Sequence, residues 1–257
     1  MAMTGRLSGS DPTSRAQLAS ALKCKSARAV ELLCNPLNPA VGVATATMLT
    51  AREGAPRYDF RIKRGGDALY AFSAFAHQER GAGEETHYTI RLQTMDETVV
   101  GGETFCSKLV CSADGKRYTF NDDPSNFHSW PRELGAAIIS GDNFCVLLPR
   151  VQSNGAAAQF RVVTPQDSII TRFFAGKARE HLMMLSGPWA PKMGEDVALV
   201  HLNTDSQQRG EVLFRAREHG EELLVDFSSP LSAFQAFCIA LALIHHAQLA
   251  RTLISED

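Results

Sequence analysis

The chain carries none of the short motifs that mark an enzyme. There is no G-x-S-x-G turn for a nucleophilic serine, no H-E-x-x-H pair, no P-loop and no G-x-G-x-x-G fingerprint. Gly81-Ala-Gly83 alone is too short to cradle a phosphate. The sequence therefore reads as non-enzymatic, with no cofactor. It also lacks an excess of either charge: 26 Lys and Arg face 28 Asp and Glu, a net of -2. Bulk attraction to nucleic acid is excluded, and any anion site has to be local. No apolar leader opens the chain, and no segment reads as a transmembrane span. The six cysteines, at 24, 34, 106, 111, 145 and 238, form no C-x-x-C pair and no zinc spacing, so free thiols are expected. His245 and His246 are adjacent on a helix, so their side chains diverge by about 100° and cannot grip one metal together. His77, His87 and His128 have no acidic or cysteine neighbour at ligand spacing.

What the chain does have is β-prone sequence in short runs. They fall at 43–50, 57–63, 68–76, 86–94, 103–111, 116–121, 135–140, 143–149, 158–163, 180–185, 196–202, 210–217 and 221–227. Gly65-Gly-Asp67, Ala113-Asp-Gly115 and Ser140-Gly-Asp-Asn143 supply hairpin-turn chemistry between them. So many strands with almost no helix between them predict an antiparallel sandwich or barrel. Ahead of them, residues 1–38 read as a flexible segment. It holds a possible short helix over 14–33 that ends at Asn35-Pro-Leu-Asn-Pro39, and residues 39–257 form the main domain.

The last stretch differs from everything before it. Pro230 is placed to open a helix, with Ser228 or Ser229 as its cap. Leu231, Phe234, Phe237, Leu241 and Ile244 make one apolar stripe, and Ala233, Ala236, Ile239, Ala240 and Leu243 cover the other faces. A helix apolar all round is buried all round. The expectation is a helix near 231–249 threaded through a closed β-structure. Such a helix fills the volume an internal ligand would need, which argues against a carrier of small molecules.

The segment Asp226…Pro230-Leu-Ser-Ala-Phe-Gln-Ala-Phe-Cys-Ile-Ala-Leu241 resembles the C-terminal signature of the tubby-like proteins. Three further blocks resemble that family in the same order. They are Tyr88-Thr-Ile-Arg-Leu with Gly101-Gly-Glu-Thr-Phe-Cys-Ser-Lys-Leu109 and Lys116-Arg-Tyr-Thr-Phe-Asn-Asp122; then Arg132-Glu-Leu-Gly-Ala-Ala-Ile-Ile139, with a slip of one residue; then Leu185-Ser-Gly-Pro-Trp189. The resemblance implies a mainly β fold, a closed antiparallel barrel of about twelve strands around a central buried C-terminal helix. It further implies a cytoplasmic, peripheral membrane adaptor that binds phosphatidylinositol 4,5-bisphosphate or a related phosphoinositide at the inner face of the plasma membrane. A role in ciliary or membrane protein trafficking would follow, with protein partners engaged through the N-terminal segment.

Carried over residue by residue, the family's phosphoinositide-binding lysine falls on Lys108, its arginine at the start of the Glu-Leu-Ala-Ala strand on Arg132, and its polar asparagine on His87. The cation two residues past the lysine is replaced by Val110, and the loop 76–85, basic in the family, is net acidic here. Both departures point to an alternative: a protein-interaction barrel that has lost phosphoinositide binding.

Overall fold

The computed structural model describes residues 33–51, 56–64, 67–78, 85–92, 106–122, 132–153, 155–177, 179–189, 196–202 and 209–255. The predicted helix over 14–33 lies outside these apart from its last residue, as do the Gly101-Gly-Glu turn and most of the 76–85 loop.

The strands are β1 (Val43–Ala51), β2 (Arg57–Arg64), β3 (Asp67–Gln78), β4 (Thr86–Leu92), β5 (Cys106–Cys111), β6 (Arg117–Asp122), β7 (Arg132–Ser140), β8 (Asn143–Pro149), the two-residue β9 (Phe160–Arg161), β10 (Leu182–Pro188), β11 (Val197–Leu202), β12 (Arg209–His219) and β13 (Glu222–Ser228). Each coincides with one of the runs read from the sequence. A short helix α1 (Ile169–Phe174) precedes β10, and a long helix α2 (Ala233–Ser255) follows β13.

The sheet runs β6-β5-β4-β3-β2-β1-β13-β12-β11-β10-β8-β7, all antiparallel. Pairing of β6 with β7 returns the last strand to the first, so twelve strands close into a barrel. Closure leaves no free sheet edge. Helix α2 lies inside this barrel. Its residues from Ala233 to Leu243 are buried without a break, so every face of the helix meets the inward side chains of some strand. Phe237 packs on Phe60 at 5.2 Å and stacks on Phe72 at 5.7 Å, and Phe234 meets Phe72 edge-on at 5.8 Å. Each such ring withdrawn from water contributes roughly 1.5–3 kcal/mol. The single face-to-face surface of an ordinary helix is absent here, which is why the segment shows no amphipathic stripe. By length and composition Ala233–Arg251 also qualifies as a membrane span, contrary to the sequence expectation. Enclosure by strands is what the all-round apolar surface serves.

The start of α2 corrects the expected cap. The helix begins at Ala233, and Ser232 rather than Ser228 or Ser229 caps it. Gln235 N donates to Ser232 Oγ at 3.0 Å, and Ser232 N donates to Gln235 Oε1 at 3.0 Å. This reciprocal box satisfies two amides that the barrel would otherwise bury unpaired. Pro230 sits in the preceding turn after a cis peptide bond.

Residues just before β1 are less loose than the sequence suggested. Leu33 and Leu37 belong to the barrel core, and Leu37 N donates to Leu231 O at 3.0 Å. They cover the mouth at which α2 enters.

A second, smaller apolar layer lies outside the wall. Ile169 and Ile170 of α1, with Phe160 of β9, pack on Ala136, Leu147 and Leu182. The helix caps on Ser168, whose side chain accepts from Thr171 N.

Candidate functional site

Strand alternation decides which expected site residues can meet. On β5, Ser107, Leu109 and Cys111 are buried, so Lys108 and Val110 face outward. On β4, Tyr88 and Ile90 are buried, so His87, Thr89 and Arg91 face outward. Lys108 pairs with Thr89 and Val110 pairs with His87. His87 and Arg91 are therefore the two diagonal neighbours of Lys108 on the outer surface, each about 7 Å away. The structure brings Lys108 and His87 together as expected.

Arg132 is not with them. Lys108 pairs with Asn121, and Asn121 pairs with Glu133, so those three share the outer face. Arg132, one residue earlier, points to the other side, where its guanidinium forms an ion pair with Asp122. Asp122 continues the inward row of Tyr118 and Phe120. The register shifts between Phe120 and Asn121, because Gly135 pairs with Phe120 while Glu133 pairs with Asn121. Leu134 is the extra residue, and this bulge sets the orientation of Arg132.

Arg91 is the residue the sequence reading passed over. Its guanidinium lies 5.6 Å from the Phe75 ring, and that of Arg57 lies 5.7 Å from the same ring. Arg57 is also paired to Asp59 at 2.8 Å, and Asp59 accepts from Ser73 Oγ at 2.6 Å. Neither Arg91 nor Lys108 has a carboxylate partner among the described residues. His87 lies 3.6 Å from Glu85. The outward side chains described on β2 to β6 include Arg57, Arg61, Lys63, Arg91, Lys108 and Arg117, against Asp59, with Glu85 just ahead of β4 and Asp114 and Lys116 in the β5–β6 turn. Among the described residues, cations thus outnumber carboxylates on this wall of a chain whose net charge is -2. Guanidinium and ammonium groups side by side suit a polyanion such as a phosphorylated ring.

The opposite end of the barrel, where α2 emerges, holds a different polar group of residues. The Tyr118 hydroxyl donates to Gly115 O at 3.1 Å, and His246 Nδ1 donates to the same carbonyl at 3.1 Å. Trp189 stands edge-on to His246 at 4.4 Å and donates from Nε1 to Gly141 O at 2.8 Å. Tyr58 donates to Gln248 Oε1 at 3.0 Å. The His246 and Gln248 bonds tie the end of α2 to a turn and a strand, and Trp189 is held against it, so the cluster acts as a fastening. Among the described residues no group of His, Cys, Asp and Glu could hold a metal ion. No protein-family model matches this chain, and no curated protein matches it in sequence.

Proposed function

We propose that the protein is a non-enzymatic phosphoinositide-binding barrel of tubby type, a peripheral adaptor at the inner face of the plasma membrane. The observation that carries the reading is the diagonal placement of Arg91 beside Lys108 on the outer wall, both without a carboxylate partner among the described residues, in a surface rich in cations. The barrel around a buried C-terminal helix agrees with the family resemblance, and the filled interior directs any ligand to the outside. Lys108 and Arg91 bind the two phosphates and His87 contacts the ring. Arg91 supplies the second cation that Val110 does not. Arg132 serves the fold through Asp122. Trafficking of membrane proteins, including ciliary ones, is the role such an adaptor would serve.

The test is sedimentation with vesicles containing phosphatidylinositol 4,5-bisphosphate. A charge-assisted hydrogen bond is worth about 1.5–3 kcal/mol, so Lys108→Ala and Arg91→Ala should each weaken binding about tenfold or more. Val110→Arg should strengthen it, and salt should weaken it. Equal binding by wild type and all three variants would place the site elsewhere. The second reading, an interaction barrel without lipid binding, is motivated by Val110 beside His87. Failure of every variant to bind would favour it.

A further inference from the structure

We infer that Phe174 is a membrane-inserting wedge, through which the outer wall near α1 engages anionic phospholipid independently of any phosphoinositide headgroup. The inference rests on the membrane-docking reading above, but not on Lys108 or Arg91.

Phe174 is 68% exposed, more than any other large hydrophobic side chain among the described residues. Helix α1 is anchored to the wall: Ile169 and Ile170 are buried against β7 and β8, and Ile169 N donates to Glu133. The ring is thus held out on a fixed base. Phe173 supports it edge-on at 5.6 Å, and the Arg179 guanidinium covers Phe173 at 5.7 Å. Gly176, with φ +71°, turns the chain immediately afterwards and leaves Lys177 and Arg179 exposed beside the ring. Of the acidic residues described in this stretch, Asp167 is neutralised by Arg172 at 2.8 Å, while Glu180 is exposed, so Lys177 and Arg179 leave a small positive excess. A protruding aromatic followed by exposed Lys177 and Arg179 matches the bilayer boundary, where the ring enters the acyl edge and the cations stay with anionic headgroups.

The placement also fits. Glu133, under the start of α1, lies in the same outer row as Lys108, two strands away. At the usual strand spacing this is about 10 Å along the wall.

The experiment uses the full chain with three vesicle types: phosphatidylcholine alone, with phosphatidylserine, and with phosphatidylserine plus phosphatidylinositol 4,5-bisphosphate. Phe174→Ser should bind both anionic vesicle types about tenfold more weakly at an unchanged melting temperature. Lys108→Ala should lose only the phosphoinositide increment. Phe174→Trp should be quenched by brominated acyl chains beyond the quenching of the native Trp130 and Trp189. Sedimentation of Phe174→Trp without added quenching overturns the wedge and leaves Phe174 for a protein pocket. Absence of wild-type binding to any vesicle overturns it as well. Quenching and the Phe174→Ser loss on phosphatidylserine, with no phosphoinositide increment, would uphold the wedge while refuting the headgroup site.

Discussion

His245 Nδ1 lies 3.2 Å from the hydroxyl of Tyr118 inside the barrel. The tyrosine spends its single proton on Gly115 O, so the imidazole N–H is the donor between them. His245 also meets Tyr88 and Tyr118 edge-on, at 5.5 and 5.8 Å. These contacts bury the His245 ring among aromatic side chains.

Burial, followed by the neighbouring His246, lowers the pKa of His245 from 6.5 to about 4. The unfolded chain therefore takes up a proton between pH 6.5 and 4 that the folded chain refuses. Stability should be fully present above pH 6.5 and fall as the pH drops through that window. His245→Asn, which keeps a donor for Tyr118, should flatten this acid limb in urea titrations at a series of pH values.

Glu133 should behave in the opposite sense. Burial raises its carboxyl pKa from 4.5 to about 7, against the pull of the Ile169 amide and Arg172. The folded chain holds a proton between pH 4.5 and 7 that the unfolded chain has released. The contribution is fully present below 4.5 and lost as pH rises through 7. Glu133→Gln should remove the decline on the neutral side and leave the barrel more stable than wild type at pH 8, as read by thermal denaturation.

Arg132→Ala should cost stability rather than binding. It strands Asp122, whose side chain is 10% exposed, while Arg132 itself is 38% exposed, so the loss is screened to about 1–2 kcal/mol. Chemical denaturation should show this loss, while affinity for phosphoinositide vesicles stays at the wild-type value.

The thiols give a fourth expectation. Cys34, Cys111, Cys145 and Cys238 are free. Burial pushes Cys34 up to about 12 and both Cys111 and Cys145 up to about 11, and raises Cys238 as well. At pH 8 about one in a thousand copies of a thiol with a pKa near 11 is a thiolate. These four should alkylate slowly in the native protein, and mass measurement should count six labels after denaturation without reductant. Fewer than six would contradict free thiols throughout.

The strands were legible because each is a short apolar alternation ended by turn residues, and the closed barrel follows once the central helix needs covering on every side. Helix α1 was not legible. Ile169-Ile-Thr-Arg-Phe-Phe174 is β-branched and aromatic, and it becomes helical through the Ser168 cap and its seat on Ala136 and Leu147. The start of α2 was placed too early because Pro230-Leu231 already reads as helix, while the Ser232–Gln235 box that begins it needs only two ordinary polar residues. At the candidate site, Lys108 and His87 were singled out only through the family resemblance. Arg91 could not be, since its nearness to Lys108 depends on how β4 pairs with β5. The turning of Arg132 depends on one extra residue, Leu134, in a strand pair distant from any turn signal.

The order of elements along the chain has a consequence for how the protein is made. Thr45 Oγ1 donates to Asp226 Oδ1 across a separation of 181 residues, and the helix at the centre of the barrel follows both. While a ribosome is still extending the chain, the strands have nothing to wrap around and the first strand has no closing partner. Assembly therefore waits for release of the last segment, and the waiting strands need protection from one another. A premature stop after residue 228 would remove the interior of the protein, and its product should be degraded or aggregated rather than merely shortened.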